Sequence, residues 1–419
     1  MRTSTEPTVD SAYAWARLMV SMLIMTIGGV GMYSVAVVLP VLQRDFGVAR
    51  ADASFPYTAT LICFGFGGIL MGRLADRLGV MRVALIGTLA LTIGFVLAGF
   101  ANSLWQFSLA QGFLIGMLGA SVTFAPLVAD TSLWFVRRRG MAVAICMSGN
   151  YLAGAVWPPI MQYFIDSVGW RQTYFGLGLF CLLTMTPLAL FLRRRAPAAS
   201  CAAAAHAVEP KSARFLGQSD PAQPLGQSPG QLQLMLCIAG VGCCVAMAMP
   251  QVHIVAYCTD LGFGAARGAQ MLSLMMGLGI VSRLLSGWVS DHIGGLRTLL
   301  LGSLLQGVAL LLFLPFDGMV PLYVVSGLFG LFHGGIVPSY ALIVREYFSP
   351  VQAGARTGTV LMATLVGMAL GGWLSGAIFD WTGSYRAAFI NGLGWNLLNL
   401  GIVGFLLYRV RQSRQPALT

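Results

Sequence analysis

The sequence predicts an all-α membrane protein in which twelve transmembrane helices form two pseudo-symmetric six-helix bundles. Three observations predict it. Hydrophobic residues fill 57% of the 419 positions and charged residues only 9%, whereas soluble domains carry roughly a quarter charged residues. Apolar runs long enough to cross a bilayer, which takes ~20 residues, recur along the whole chain. Two loop motifs also return after an interval of about 215 positions.

Hydrocarbon offers no water to backbone groups, so each apolar run must pair its own N–H and C=O groups as a helix. The runs place spans near 17–42, 53–74, 82–101, 104–130, 140–165 and 172–192. The first is too long for a signal-peptide core and reads as an uncleaved span. Residues 193–230 then break the pattern. Ala, Gln, Ser and Pro dominate there, and the alanine tract 202–205 has no apolar period, which predicts a flexible cytoplasmic linker. Further spans are expected near 232–259, 268–290, 297–315, 320–344, 356–380 and 386–408. The domain expectation is a bundle over 1–192, the linker, and a second bundle over 231–419.

The net charge of +11 comes from 25 basic residues, of which only Lys211 is a lysine. The arginines sit in short loops and not on one folded face, so nucleic acid is excluded as a partner and the lipid bilayer takes its place. With both termini inside, 19 basic residues fall on the cytoplasmic side and 5 on the other, with Arg283 left inside a span. The cytoplasmic set includes Arg2, Arg17, Arg73, Arg77 and Arg82; the opposite set includes Arg44, Arg50 and Arg171. Such an asymmetry orients both termini to the cytoplasm. Sparse charge and short loops point to a bacterial inner membrane, and the fold suffices as a monomer. The eight cysteines lie in spans or the linker, form no C-x-x-C pattern, and imply neither a disulfide framework nor a metal site. Cys243-Cys244 reads as small-residue helix packing. No cofactor is expected. The chain has no nucleotide-binding G-x-x-x-x-G-K-[ST], no H-E-x-x-H and no G-x-S-x-G, so neither ATP-driven transport nor an enzyme is expected.

The halves repeat one another. Gly72-Arg-Leu-Ala-Asp76-Arg77-Leu-Gly79 follows span two, and Gly287-Trp-Val-Ser-Asp291-His-Ile-Gly294 follows span eight, with the aspartates 215 apart. Asp166 and Asp380, before spans six and twelve, are 214 apart, and Arg171 and Arg386 are 215 apart. Parallel six-span repeats imply a substrate site between the halves, near the midplane.

The loop motif, its weaker copy, the linker and the twelve spans together resemble the major facilitator superfamily (MFS) across essentially the whole chain. Within it the likeness is to monocarboxylate porters and oxalate:formate-type antiporters. That likeness rests on Arg137-Arg-Arg-Gly-Met-Ala-Val-Ala144, Ser282-Arg283-Leu-Leu-Ser-Gly-Trp-Val-Ser-Asp291 and Gly354-Ala-Arg356-Thr-Gly358. The resemblance implies that Gly72, Asp76 and Arg77, with Asp291 in the copy, latch the helix ends in one conformational state. An orientation-setting loop charge is the other reading of these residues, and it weighs most for Asp291, which His292 follows. Asp130, at the end of span four, joins the gating set through an expected pairing with the Arg73/Arg77 cluster.

A charge at mid-bilayer costs ~3 kcal/mol on insertion scales. Arg283 carries it 16 positions after Arg267, which is ~24 Å along a helix. A guanidinium stays charged and matches a carboxylate with two donors. In the families resembled, an arginine in span eight binds the substrate carboxylate. The chain also departs from them. An aspartate one turn earlier is Gly279 here, a span-one lysine is replaced by neutral Tyr33 and Ser34, and a span-eleven lysine by the apolar Leu365-Val366-Gly367. One cation favours a monoanion over a dianion, and the missing aspartate leaves coupling to protons or to a counter-anion open. His333 and His253 could relay a proton or bond a neighbouring helix. Asn150, Tyr33, Tyr57, Gln111 and Tyr257 could line a cavity or bond between helices. Asn150 has small neighbours that leave room for a ligand.

The expected function is alternating-access secondary or exchange transport of a small organic anion, a monocarboxylate. A drug-like exporter on the same fold and a non-transporting membrane sensor are the alternatives.

Overall fold

The computed structural model describes residues 9–194, 227–348 and 350–414. Twelve helices among them are long and apolar enough to cross a membrane, and no strand occurs among the described residues. Spans one to six are Ala12–Phe46, Arg50–Leu78, Val80–Gly99, Leu104–Trp134, Gly140–Val168 and Trp170–Phe191. Spans seven to twelve are Pro229–Asp260, Ala265–Ile293, Gly295–Leu312, Met319–Tyr347, Gln352–Thr382 and Tyr385–Gln412. Most run a few residues beyond the apolar runs, because capping groups and polar side chains extend the helix past the hydrocarbon. Ser228 shows how: it accepts from Gln231 N at 3.3 Å while the Gln231 side chain accepts from Ser228 N, a reciprocal cap just before Pro229. The expected linker is outside the described residues from 195 to 226.

The chain divides into two compact units, Met1–Val208 with Ala265–Ser273, and Glu209–Gly264 with Leu274–Thr419. In the first, span one is interrupted at Gly29. The carbonyls beside the break accept side-chain donors. Thr26 O takes Trp157 Nε1 and Gly31 O takes Gln111 Nε2, both at 2.7 Å. Span four winds as α-helix over Leu104–Leu109, π-helix over Ala110–Gly119, a 3₁₀ turn over Ala120–Thr123 and α-helix again over Ala125–Trp134. Widening and breaking of this kind survives in a membrane only where neighbouring side chains satisfy the backbone. The core of this unit is aromatic. Tyr174 meets Phe95 at 5.4 Å, Phe107 at 5.5 Å and Trp170 at 5.8 Å between ring centroids.

In the second unit, span ten is interrupted at Gly334-Gly335. Phe313 stacks on Phe389 at 4.8 Å, and Tyr257 packs against Phe389 and Tyr385. A polar thread crosses this core: Tyr340 Oη donates to Asn399 Oδ1 at 3.0 Å, and Asn399 Nδ2 donates to Ser303 Oγ at 2.7 Å. Cys243 and Cys244 are fully buried and pack as small residues, Cys243 against Gln306.

The repeat extends to backbone handedness. Gly47 and Gly262 lie at φ +61° and +82°, Gly79 and Gly294 at +86° and +84°, and Gly169 and Gly383 at +83° and +66°. The first two pairs are 215 positions apart and the third 214. Each glycine ends one helix in the left-handed region, which residues with a Cβ reach only at a cost.

Candidate functional site

In the second unit, two of the polar groups that sequence reasoning singled out, His333 and Arg283, lie near one another. Span ten lies directly on span eight because it presents glycines there: a Cβ at Gly330 would overlap the Met275 carbonyl, and one at Gly334 the Gly279 carbonyl. Close approach of two backbones requires such small residues. It sets His333, one position before the break, next to the turn of span eight that carries Arg283.

His333 is buried, and Phe329 stacks on its ring at 5.1 Å. Its Nδ1 lies 2.8 Å from the Phe329 carbonyl and its Nε2 lies 3.0 Å from Gln251 Nε2. A carbonyl only accepts, so Nδ1 carries the proton. Nε2 then presents a lone pair to the Gln251 amide. With the Gln251 amide presenting its nitrogen, this is the bonding pattern of a neutral imidazole. Arg283, half-buried, lies within electrostatic reach of this ring. Span seven thus supplies Gln251, span eight Arg283 and span ten His333. Sequence reasoning missed Gln251; a lone amide within the apolar run 245–258 and beside Pro250 was the available signal.

His253, by contrast, is wholly internal. Its Nε2 donates to the Gly372 carbonyl at 2.7 Å and its Nδ1 accepts from Tyr385 Oη at 3.1 Å, the bonding of a histidine that joins helices. Tyr257 is buried in the adjoining aromatic cluster.

In the first unit, Gln111 is buried and donates to Gly31 O at 2.7 Å and Ser34 Oγ at 3.4 Å, so its amide closes the gap at the span-one break. Tyr57 is buried, whereas Tyr33 and Asn150 are half-buried. Asn150 follows Gly149, whose missing side chain lets span five rest on Met22 and Met25.

The gating candidates of this unit meet at one cavity of about 740 Å³ lined by Gly72, Asp76, Arg77, Asp130 and Arg17 among others. The pairing expected between Asp130 and Arg73/Arg77 is corrected. Asp130 takes Arg17 instead, Nε to Oδ2 at 2.8 Å and Nη2 to Oδ1 at 3.0 Å. Arg17, counted above as a loop charge, lies inside the first helix and is 2% exposed. Span one simply starts earlier than its apolar run, and the buried arginine is hidden from a hydropathy reading. Asp76 and Arg77 are exposed at the rim. In the second unit Asp291 is exposed too, while His292 folds back so that Nδ1 bonds the Trp288 carbonyl at 2.8 Å. Arg356, from the span-eleven motif, donates to the Pro229 carbonyl at 3.2 Å and to Gln233, tying spans eleven and seven together.

Comparison with known proteins follows the same lines. The family model described as Major Facilitator Superfamily matches residues 20–321 and 285–419. The chain is 29% identical to monocarboxylate transporter 13 of Rattus norvegicus over 348 residues, which cover 81% of this chain and 76% of that one. It is 22% identical to the agnestins efflux protein AgnL12 of Paecilomyces divaricatus, covering 87% of this chain and 79% of that one. Among solved structures, it resembles a bacterial homologue of the human lysosomal transporter Spinster in an inward-facing and occupied conformation. The TM-score is 0.66 at 16% identity, with 96% of each chain covered.

Proposed function

The chain belongs to the major facilitator superfamily, and from that premise we propose that it carries a small organic monoanion, a monocarboxylate, by alternating access as a secondary or exchange transporter. The observation that carries the reading is Arg283, half-buried in span eight and within electrostatic reach of His333. A permanent cation there attracts an anion, and its planar fork can bond both oxygens of a carboxylate. A neutral histidine adds no second charge to hold a dianion. Helix contact at Gly334 keeps the arginine and the ring in register, so the site is preorganised. The relative named as a monocarboxylate transporter supports the same substrate class.

The relative named as an efflux protein supports a second reading, an exporter of a drug-like or other small solute. A third, a membrane sensor that binds without transport, uses the same fold differently. Uptake of radiolabelled lactate, pyruvate and acetate into proteoliposomes separates them. Saturable carboxylate flux that Arg283→Gln removes is the expected result. Flux only of drug-like solutes and of no carboxylate sinks the monocarboxylate reading, and binding without any flux favours the sensor.

A further inference from the structure

Each unit holds a basic cavity at the end that bears its arginine-rich loops, and the two cavities are built from equivalent residues. In the first unit Gly79, Arg82, Leu192 and Arg193 line the 740 Å³ space. In the second, Gly294, Arg297, Leu407 and Arg411 line a cavity of about 480 Å³. Gly79 and Gly294, Arg82 and Arg297, and Leu192 and Leu407 are each 215 positions apart. The arginine after the last leucine shifts its place, and Arg17, Asp76, Arg77 and Asp130 line the first cavity without counterparts in the second.

Two of the three acids in these cavities are already engaged, and the third, Asp76, stands at the rim of the first beside Arg77. Asp130 is held by Arg17, and both oxygens of Glu346 accept from Gly295 N, at 2.9 and 3.2 Å. What faces outward is net positive: Arg77, Arg82, Arg193 and Arg194 outnumber the Asp76 carboxylate in one cavity, and Arg297 and Arg411 stand in the other, all exposed. Beneath the cations the walls are apolar, with Leu78, Val80 and Leu133 in the first cavity and Leu296, Leu300 and Val410 in the second. Guanidinium groups above apolar walls at the ends of membrane spans fit an anionic headgroup whose acyl chains continue into the bilayer. Arginine forks suit phosphate oxygens geometrically as well as in charge.

We propose that the protein binds anionic phospholipid at two equivalent sites, with the headgroup phosphate held by Arg82 and Arg193 in one and by Arg297 and Arg411 in the other. The free phosphate ion shares the charge but gains nothing from the leucine walls. An occupied pair of sites would bridge the third span to the sixth and the ninth to the twelfth, each within its own unit.

The test uses the full chain in phosphatidylcholine nanodiscs doped with phosphatidylglycerol, counting lipids retained after detergent exchange by native mass spectrometry. Two retained phosphatidylglycerols are expected. Arg82→Gln with Arg193→Gln should lose one, Arg297→Gln with Arg411→Gln the other, and the fourfold variant both, retention weakening about fivefold per arginine. Inorganic phosphate without lipid should leave thermal melting unmoved; stabilisation by phosphate equal to that by phosphatidylglycerol would overturn the lipid assignment. Unchanged retention in the fourfold variant, or equal retention of phosphatidylcholine, would overturn the sites. Should a variant fail to fold, retention by the parent is measured from low to high salt. It should fall with ionic strength, and salt-independent retention refutes the proposal.

Discussion

The Arg17 guanidinium grips the Asp130 carboxylate through two parallel hydrogen bonds of 2.8 and 3.0 Å, and the Trp134 ring lies 4.8 Å from its central carbon. The pair joins the first helix to the fourth inside one unit. Because Arg17 is 2% and Asp130 12% exposed, removing one partner strands a buried charge. Asp130→Asn is expected to cost about 3 kcal/mol, read as a lower melting temperature in detergent. Replacing both, Arg17→Met with Asp130→Leu, should restore most of the loss. A double variant as unstable as the single one would mean that the contact matters for more than charge compensation.

Arg283 is predicted to contribute binding more than stability. Arg283→Lys keeps the charge without the fork and should bind lactate weakly, and Arg283→Gln should not bind it. Lactate-induced thermal stabilisation should therefore vanish in Arg283→Gln while the ligand-free melting temperature holds or rises, since a partly desolvated cation has been removed. Parental affinity in a folded Arg283→Gln protein would place the anchor elsewhere.

The contact of span ten with span eight has no slack. Gly334→Ala would drive a methyl group into the Gly279 carbonyl, and overpacking of this kind costs about 1–3 kcal/mol. It should also push His333 away from Arg283, so flux should fall even under conditions where the protein stays folded. Gly401→Ala is the control, because no atom lies within 4 Å of its added Cβ. A Gly334→Ala protein with parental melting and flux would show that the helices can part without consequence.

The acid that precedes Arg283 by one turn in proton-coupled porters is Gly279 here, which leaves His333 and the substrate itself as proton carriers. Counter-transport of lactate between vesicle interior and medium is thus expected to continue after a protonophore collapses the pH gradient. Complete arrest, with anion on both sides, would assign an obligatory proton to the cycle. Selective ¹⁵N labelling of histidine gives an independent reading of the ring: the His333 signals should report a protonated Nδ1 and a bare Nε2.

The twelve helices were legible because hydropathy and charge asymmetry act over ~20 residues, far above local noise. The repeat was legible because Asp76 and Asp291 stand in the last turns of their helices, beyond the apolar runs, where a motif is not masked by apolar composition. The partners of polar side chains were not. Arg17 stood at the very start of the expected first span and was counted with the loop charges, and its pairing with Asp130 depends on helices 113 positions apart. Gln251 was overlooked since a single amide in an apolar run carries no period. The breaks at Gly29 and Gly334 were half-visible: each sits in a Gly-Gly pair, but only three-dimensional neighbours such as Trp157 and Gln111 turn a permissive dipeptide into an interruption.

The left-handed glycines at 47 and 262, 79 and 294, and 169 and 383 have a consequence for how the two halves have diverged. Between them Arg77 has become His292 and Trp170 has become Ser384, changes that an exposed or repackable side chain absorbs. At a positive φ every alternative L-residue pays about 1–2 kcal/mol regardless of its chemistry, so drift is slowed at these three joints, although Gly264 at +83° has Ala49 at −66° as its counterpart in the other half. Ancestry in this chain is therefore recorded as chirality. A duplication too old to be seen in residue identities would still be dated by the spacing of its mirror-handed hinges.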